Sequence, residues 1–335
     1  MLSVPDESVH RTKVADWMEL KAVSAPDGRV GFGTLVAATV LGENEQEADV
    51  ADEDTKDDGI VLRVQDEITR RSEAIGADYP FRIDASGRAM EFVRPVTAAG
   101  NVYLFCLFLS QAFDRTIVPK TLAPKVTDAT RNLFQVCSTL AAGGYIQGPA
   151  VSFGWPRPDG SQFLKAVKRV YKAFGDGTPV RKPRVAAAKA VKDNGIDIIA
   201  WQRTADRLPG TQYLIGQVAS GKNWAGKSVV TDRDHFHKYW FTVQPASVAQ
   251  AAMFMPFGLE PDEPGDGTPY HSVLTDHMQS VSYKFGVLFY RDRITLNLAR
   301  GLQLIENGET AIERHDELPK IVRWVENYTK RLRAA

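Results

Sequence analysis

The chain lacks most features that would place it in a specialised class of protein. Its 335 residues include two cysteines, Cys106 and Cys137, too few for a disulfide framework and without the C-x-x-C spacing of zinc or redox sites. The strongest apolar run, residues 102–109, is far shorter than the roughly 20 residues that cross a bilayer. The N-terminal residues contain no apolar block of the kind that a signal peptide needs. These absences predict a cytoplasmic protein with no membrane partner.

The chain also has no net charge, because its 41 Lys and Arg residues balance its 41 Asp and Glu residues. A neutral total removes the whole-chain signature of a nucleic-acid binder, but it can hide a basic surface that an acidic segment offsets. Residues 43–58 contain nine acidic residues and one lysine. This composition predicts a solvated acidic loop, with a contact for a basic partner or an electrostatic mimic of nucleic acid as alternatives.

The compensating basic segment lies between positions 165 and 192, where Asp176 is the one acid among nine cations. Residues 161–174 have helical periodicity, and their cations recur at spacings of three and four on one face. Lysine and arginine contacts with phosphates supply most sequence-independent affinity for nucleic acids, although solvated charged helix faces are also common. We predict that this segment contacts DNA. Its cations are Lys165, Lys168, Arg169, Lys172, Arg181, Lys182, Arg184, Lys189 and Lys192.

Composition along the chain predicts an α/β protein with three parts. Residues 1–122 are expected to form an N-terminal domain of helices and a hairpin. Residues 123–245 are expected to form the central α/β core, and residues 246–335 a C-terminal α+β extension that ends in an amphipathic helix at 311–332.

Three local patterns refine this division. Residues 128–142 carry an apolar helical stripe, and we expect Gly143 and Gly144 to end the helix. The alternation of residues 79–93 predicts a hairpin. Residues 283–290 have the apolar composition of a strand.

Two adjacent strands of the predicted core each contain one polar residue. Asp197 lies in the apolar segment 195–201, and Gln217 lies in the apolar segment 212–220. Polar groups inside core strands destabilise the fold unless they are hydrogen-bonded or used. A carboxylate and an amide on neighbouring strands, with a lysine nearby, is the set that metal-assisted phosphodiester hydrolysis requires. The oxygens hold Mg²⁺ and the lysine offsets developing charge.

These residues resemble the PD-(D/E)XK nuclease superfamily, especially Mrr-like restriction endonucleases. The resemblance is carried by Asp193-Asn-Gly-Ile-Asp197, by the apolar strand that follows, and by Gln217 on the next strand. Phe134-Gln135 and Gly144-Tyr145 are similar to the family's first helix, which usually bears Phe-Glu and ends in Gly-Tyr. The similar region covers roughly residues 125–245, with 150–190 as an insertion.

The resemblance implies a restriction-endonuclease-like central mixed sheet flanked by helices, and metal-dependent DNA cleavage with Mg²⁺ or Mn²⁺. It also implies a restriction or anti-phage defence system with other protein components, or a homo-oligomer. Asp197 matches the metal ligand and Gln217 the second active-site position, so both are predicted catalytic and metal-binding residues.

The chain departs from the family pattern at two positions. Gln135 stands where a helix glutamate is common, and Ala219 occupies the place of the lysine in the third motif. We therefore predict that Lys222 or Lys227 supplies the catalytic charge. The alternative function is that of a catalytically inactive nuclease-fold subunit, which binds nucleic acid or assembles a defence complex.

Other interpretations of the same segments stay open. Residues 193–195 form an ordinary turn sequence, and Gln217 could be a satisfied core amide. Residues 221–228 match the P-loop pattern G-x-x-x-x-G-K-S, but no helical pattern is apparent after Ser228, which a P-loop needs. An ATP-dependent protein is thus a third possibility. His235 and His237 would share one face of an extended segment with Asp232 and Asp234 near, a spacing that could ligate a transition metal. A convincing third ligand is missing, so surface or interface histidines are the favoured interpretation.

Overall fold

The computed structural model describes residues 2–3, 10–37, 50–113, 116–183, 194–265 and 267–335, with the backbone alone in 50–58. The chain divides into two compact units. Unit 1 comprises Met1–Thr127, Phe257–Val273 and Pro319–Ala335, and unit 2 comprises Asp128–Pro256 and Leu274–Leu318. Residues 246–335, predicted to form a separate extension, are therefore divided between the two units. Within the described ranges, every helix is too short or too polar to cross a bilayer.

The helices with defined bounds are α1 (Arg11–Ser24), α2 (Val50–Ile75), α3 (Ala98–Ser110), α4 (Asp128–Ile146), α5 (Phe163–Phe174), α6 (Val229–Trp240), α7 (Tyr270–Phe285), α8 (Arg291–Glu306) and α9 (Leu318–Arg333). The strands are β1 (Arg29–Gly31), β2 (Phe81–Ile83), β3 (Ala89–Phe92), β4 (Ala150–Ser152), β5 (Thr178–Pro179), β6 (Ile198–Trp201), β7 (Tyr213–Val218), β8 (Phe241–Val243), β9 (Gln250–Phe254) and β10 (Val287–Phe289).

Unit 1 combines helices with a small antiparallel sheet in the order β1-β3-β2. The hairpin predicted at 79–93 is confirmed, since β2 and β3 pair antiparallel. The apolar run 102–109 belongs to α3, which is buried almost all round. The loop predicted at 43–58 is wrong for residues 50–58, which begin α2, while 43–49 lie outside the described residues. Acidic residues suit the first turns of a helix because the helix dipole favours negative charge there.

A buried ion cluster links the helices of unit 1. The Arg71 guanidinium is 1% exposed and donates to carboxylates of Asp16, Glu19 and Glu67, each at 2.8 Å. Burial on its own would raise the pKa of Glu67, but hydrogen bonds and positive charge from Arg70 and Arg71 outweigh it and lower this pKa to about 2. The four charged side chains are buried away from water, and their hydrogen bonds with one another take the place of the lost hydration.

Unit 2 is an α/β unit built on a five-stranded mixed sheet in the order β10-β9-β7-β6-β4. Strands β4, β6 and β7 pair antiparallel, whereas β9 is parallel to both β7 and β10. A separate two-stranded ribbon joins β5 and β8. The observed mixed sheet with helices confirms the predicted α/β class.

Helices cover both faces of this sheet. Alternate residues of β6 and β7, such as Ile199 and Ile215, join a core with Val167 of α5 and Phe236 of α6. Helix α4 packs on β4, β6 and β7, and also against α8. The central strands are thereby buried, so a polar side chain can reach solvent only at a strand end.

Helix α4 does not end at Gly143 and Gly144 as predicted, but continues to Ile146. The physical reason is tertiary packing. A Cβ on Gly144 would lie 1.8 Å from the Asn297 carbonyl oxygen, and one on Gly301 would lie 2.6 Å from the Leu140 carbonyl oxygen, both across the contact with α8. These glycines let two helix backbones approach closely and do not act as caps here.

Two C-terminal predictions are wrong in their bounds. Residues 283–285 end helix α7, and Gly286 at φ +70° separates them from the short strand β10. The last helix begins at Leu318, because Ile312 pairs with Ala150 and His315–Glu317 form a 3₁₀ turn.

Candidate active site at the ends of two sheet strands

Asp197 lies directly before β6, and hydrogen bonds hold both its backbone and its side chain. Its carbonyl oxygen accepts from the N–H groups of Phe153 at 2.7 Å and Gly154 at 3.0 Å. Its carboxylate Oδ2 accepts from the backbone N–H of Val218, at the end of β7, at 2.8 Å. The side chain is half-buried. Asp197 therefore ties the start of β6 to the end of the neighbouring strand.

Gln217 is the residue before Val218 on β7, and its side chain is 3% exposed. The amide Nε2 donates to the Asp232 carboxylate on α6. A carboxylate can only accept in this pairing, so the amide oxygen Oε1 must face away from Asp232. That oxygen is buried and has no hydrogen-bond donor within the described residues. An unsatisfied buried acceptor is uncommon in folded proteins and requires an explanation.

Two glycines allow the backbone to approach these side chains. Gly195 has φ +74°, and a Cβ there would lie 2.7 Å from both Gln217 Nε2 and Asp232 Oδ2. A Cβ on Gly154 would lie 2.6 Å from Asp197 Oδ1 and 2.6 Å from Gln135 Nε2. Both positions are closed to any larger residue unless the polar side chains move.

The structure separates the two candidate lysines. Lys227 is half-buried, and its Nζ donates to the Val218 carbonyl oxygen at 3.1 Å. The N–H and C=O of one residue in an antiparallel strand point to the same neighbour, so the Asp197 carboxylate and the Lys227 ammonium lie at the same edge of β7. Lys222 is exposed at the start of the 3₁₀ helix Lys222–Gly226. Lys227 therefore reaches the strand that carries Gln217.

Gln135 and Asp232 complete the surroundings of the site. Gln135 lies on α4, and its Nε2 donates to the Asp197 carbonyl oxygen at 3.1 Å, a bond that an ionised glutamate could not donate. Sequence reasoning considered Asp232 only beside the two histidines and did not assign it to this site, where it orients the Gln217 amide. Val229, Phe236 and Trp240 have helical spacing on one buried face, and this signal would have placed Asp232 in the first turn of a helix beside the site.

The sequence argument against a P-loop, that no helix follows Ser228, is wrong, because α6 begins at Val229. The segment nevertheless forms no phosphate cradle. The Trp224 N–H bonds to the Gly221 carbonyl oxygen at 3.3 Å, and the Lys227 N–H bonds to the Trp224 carbonyl oxygen at 3.0 Å. A P-loop needs its backbone N–H groups and its lysine directed at the nucleotide phosphates. Here both backbone donors already bind carbonyl oxygens within the segment itself.

The prediction that His235 and His237 share one face of an extended segment is also wrong, because both residues lie in helix α6. Residues two positions apart on a helix are rotated by roughly 200° about its axis, so the two histidine rings point to different sides of α6. His235 is exposed, whereas His237 is half-buried with its Nε2 3.4 Å from the Tyr213 hydroxyl. Burial, with a smaller contribution from the Arg233 charge, lowers the pKa of His237 to about 4.

The described part of the predicted basic segment is exposed but partly compensated. Arg169 lies 3.3 Å from Asp159 and 3.2 Å from Glu313. Lys168 donates to the Arg181 carbonyl oxygen at 2.8 Å. The exposed members are Lys165, Lys168, Arg169, Lys172, Arg181 and Lys182, while Arg184, Lys189 and Lys192 lie outside the described residues.

A cleft of about 400 Å³ extends this basic surface to the loop between β6 and β7. Lys172 lines it together with Arg203 and Arg207, and its described lining contains no acidic residue. Sequence reasoning missed these two arginines because they follow the basic segment by more than ten positions. Only the pairing of β6 with β7 brings them beside α5.

Oxygen ligands are what a hard cation such as Mg²⁺ takes, and it commonly binds one or two protein ligands while keeping several waters. The Asp197 carboxylate and the unsatisfied Oε1 of Gln217 are oxygen ligands of the type that such an ion binds. Among the described residues, no three or more His, Cys, Asp or Glu side chains group so as to hold a metal ion. Comparisons with protein-family models, curated proteins and solved structures found no match.

Proposed function

We propose that this chain is a metal-dependent DNA endonuclease with a PD-(D/E)XK-type core in unit 2. One observation carries the proposal: a carboxylate and a lysine ammonium meet at the Val218 end of β7, next to a residue whose buried amide oxygen has no donor among the described residues. Asp197 and Lys227 both bind the Val218 peptide groups, and Gln217 is the preceding residue. A restriction or anti-phage defence context follows from the family resemblance.

The order of elements supports the proposed fold. Helix α4 precedes the antiparallel strands β4, β6 and β7, and helix α6 leads to the parallel strand β9. The family resemblance implies a central mixed sheet flanked by helices, and unit 2 has that arrangement. The candidate residues lie at the start of β6 and the end of β7, where sheet side chains can meet a substrate.

In the proposed mechanism, Asp197 and Gln217 would hold the Mg²⁺ or Mn²⁺ ion. When bound, the ion would polarise the scissile phosphate and lower the pKa of a bound water. Asp232 positions the Gln217 amide so that Oε1 faces away from α6, and Gln135 holds the Asp197 backbone. Lys227 offsets the negative charge that develops on the phosphate, which is the role of a preorganised cation.

The exposed cations of α5 would hold the DNA backbone. Lys165 and Lys172 are exposed, and no described carboxylate pairs with either of them. Arg169 is a weaker candidate, since Asp159 and Glu313 already neutralise it. Phosphate contacts of this kind add affinity that falls with salt and carries no sequence preference.

A second candidate is a catalytically inactive nuclease-fold subunit that binds nucleic acid or assembles a defence complex. Two features favour it: position 217 carries an amide where an acid would bind a cation more strongly, and the described residues contain no group of three or more metal-ligating acids, histidines or cysteines. This candidate predicts DNA binding without cleavage under any divalent ion.

The deciding experiment incubates purified protein with supercoiled plasmid and Mg²⁺ or Mn²⁺. The Asp197→Asn variant keeps the size of the side chain but removes its charge, and we expect cleavage to fall at least about 100-fold. Asp276→Asn is the matched control, since Asp276 is an exposed acid of α7 in the same unit. Wild-type binding without cleavage under both ions would reject the enzyme and support the inactive subunit.

A further inference from the structure

The loop that contacts Asp197 also presents an exposed tryptophan. Gly154 packs against the Asp197 carboxylate and the Gln135 amide, and Trp155 is the next residue. Its side chain is 47% exposed, whereas the other five tryptophans are buried or half-buried. A large aromatic side chain that is exposed to solvent, next to a residue in contact with the proposed metal ligand Asp197, is a feature that the core of unit 2 does not require.

The exposed ring has a rigid support. The Arg157 guanidinium carbon lies 5.5 Å from the centroid of the Trp155 ring. Arg157 is itself 3% exposed, because it also packs on Phe153 and Phe163 and donates to the Ser161 carbonyl oxygen at 3.0 Å. A buried cation beside the indole holds it in place, so a ligand that stacks on its exposed part meets a preorganised surface.

The same loop connects the site to the basic surface of α5. Asp159 lies 3.3 Å from Arg169, and Phe163 at the start of α5 packs against Phe153 with ring centroids 5.5 Å apart. The exposed Lys165 and Lys168 follow on this helix. One continuous segment thus carries groups that contact Asp197, an exposed aromatic ring and exposed cations.

We propose that Trp155 stacks on an unpaired base of single-stranded DNA and places the adjoining phosphate at Asp197. This inference rests on the proposed nuclease function and names its substrate class. An aromatic face binds any base by stacking, while nearby cations bind the backbone, and this combination is typical of single-strand binding surfaces. In a duplex the bases are already stacked and paired, so they are not available to Trp155.

The test measures fluorescence anisotropy of labelled dT₂₀ and of a duplex of the same length, in EDTA so that no cleavage occurs. We expect dT₂₀ to bind more tightly than the duplex. Trp155→Ala should weaken dT₂₀ binding roughly 5- to 150-fold, the range that loss of one stacked base gives, and should change duplex binding little. Trp155→Phe keeps an aromatic face and should retain most of the affinity.

Tyr283→Ala is the matched control, because Tyr283 is a 90% exposed aromatic residue on α7. Circular dichroism melting establishes that each variant is folded, and Trp155→Phe provides the comparison if Trp155→Ala is not. Equal affinities of the wild type and the folded Trp155→Ala variant for dT₂₀ would overturn the inference, as would absence of dT₂₀ binding. Tighter binding of oligo-U than of dT₂₀ would overturn the assignment to DNA.

Failure of the proposed function gives a different result. Trp155-dependent binding of dT₂₀ without cleavage in Mg²⁺ or Mn²⁺ would reject the enzyme but support the stacking surface. Conversely, Asp197-dependent cleavage that Trp155→Ala leaves unchanged on both substrates would support the enzyme and reject the stacking surface.

Discussion

Replacing Gly195 with alanine tests the geometry of the candidate site directly. Gly195 has φ +74°, and a Cβ there would lie 2.7 Å from Gln217 Nε2 and from Asp232 Oδ2. Gly308 provides a matched control in the same unit, since it has φ +71° and a Cβ there would meet no described heavy atom within 4 Å. The two substitutions therefore share the backbone strain and differ in the collision with the polar pair.

The expected magnitudes follow from these two terms. Alanine in the left-handed region destabilises the fold by about 1–2 kcal/mol, and this applies to both variants. Gly195→Ala also separates a buried amide from its carboxylate partner, which adds about 1–3 kcal/mol. We therefore expect the free energy of unfolding to fall by about 1–2 kcal/mol in Gly308→Ala and by about 2–5 kcal/mol in Gly195→Ala.

Cleavage should respond more selectively than stability. Displacing Gln217 by several tenths of an ångström moves a proposed metal ligand, and a misplacement near 1 Å at a catalytic group lowers rates about 100-fold. Urea unfolding gives the stabilities, and plasmid cleavage at a temperature where both variants are folded gives the rates. The reasoning is refuted if Gly195→Ala matches Gly308→Ala in stability and in cleavage rate.

Two further predictions concern charge. Lys227→Gln should lower plasmid cleavage about 100-fold. Lys222→Gln should change it less than about threefold, because Lys222 is exposed, whereas the Lys227 ammonium binds the Val218 carbonyl oxygen. Equal losses would contradict the assignment. In unit 1, the pKa of Glu67 is lowered from 4.5 to about 2, so its ionised form contributes about 3 kcal/mol above pH 4.5 that is lost as the pH falls toward 2. Glu67→Gln should lower stability at pH 7 and flatten its pH dependence between 4.5 and 2 in urea unfolding, and an unchanged profile would disprove the linkage.

Local patterns predicted β6 and β7 well, because their apolar, β-branched composition is set by burial on both faces of a sheet. The same patterns placed Gln217 on β7 correctly, but they placed Asp197 inside the other strand, whereas it directly precedes β6. They did not indicate which lysine reaches the strand end, since Lys222 and Lys227 differ only in the path of a short 3₁₀ helix. That path depends on tertiary contacts that no window of sequence contains.

Errors arose where tertiary packing overrode a local signal. Gly143 and Gly144 have the composition of a helix stop, but Gly144 allows the close approach of α8 and Gly143 the close approach of Ile312. Helix α6 was missed because its charged residues obscure a stripe of three buried ones. The neutralisation of Arg169 by Glu313 joins residues 144 positions apart, so the free charge of the basic segment was overestimated from its composition.

The hydrogen bonds of Val218 alone do not distinguish an active site from a simple strand end. Asp197 and Lys227 satisfy a peptide N–H and C=O that would otherwise lack partners, and a purely structural role explains both bonds. The Gln217 amide oxygen is different, because burying an acceptor without a donor destabilises the fold by about 1–3 kcal/mol. Satisfying the Val218 peptide groups does not require the Gln217 Oε1 atom, whereas a bound cation would provide that atom with a partner. The burial of Oε1 without a donor, on the residue that precedes Val218, therefore favours the catalytic interpretation over the structural one.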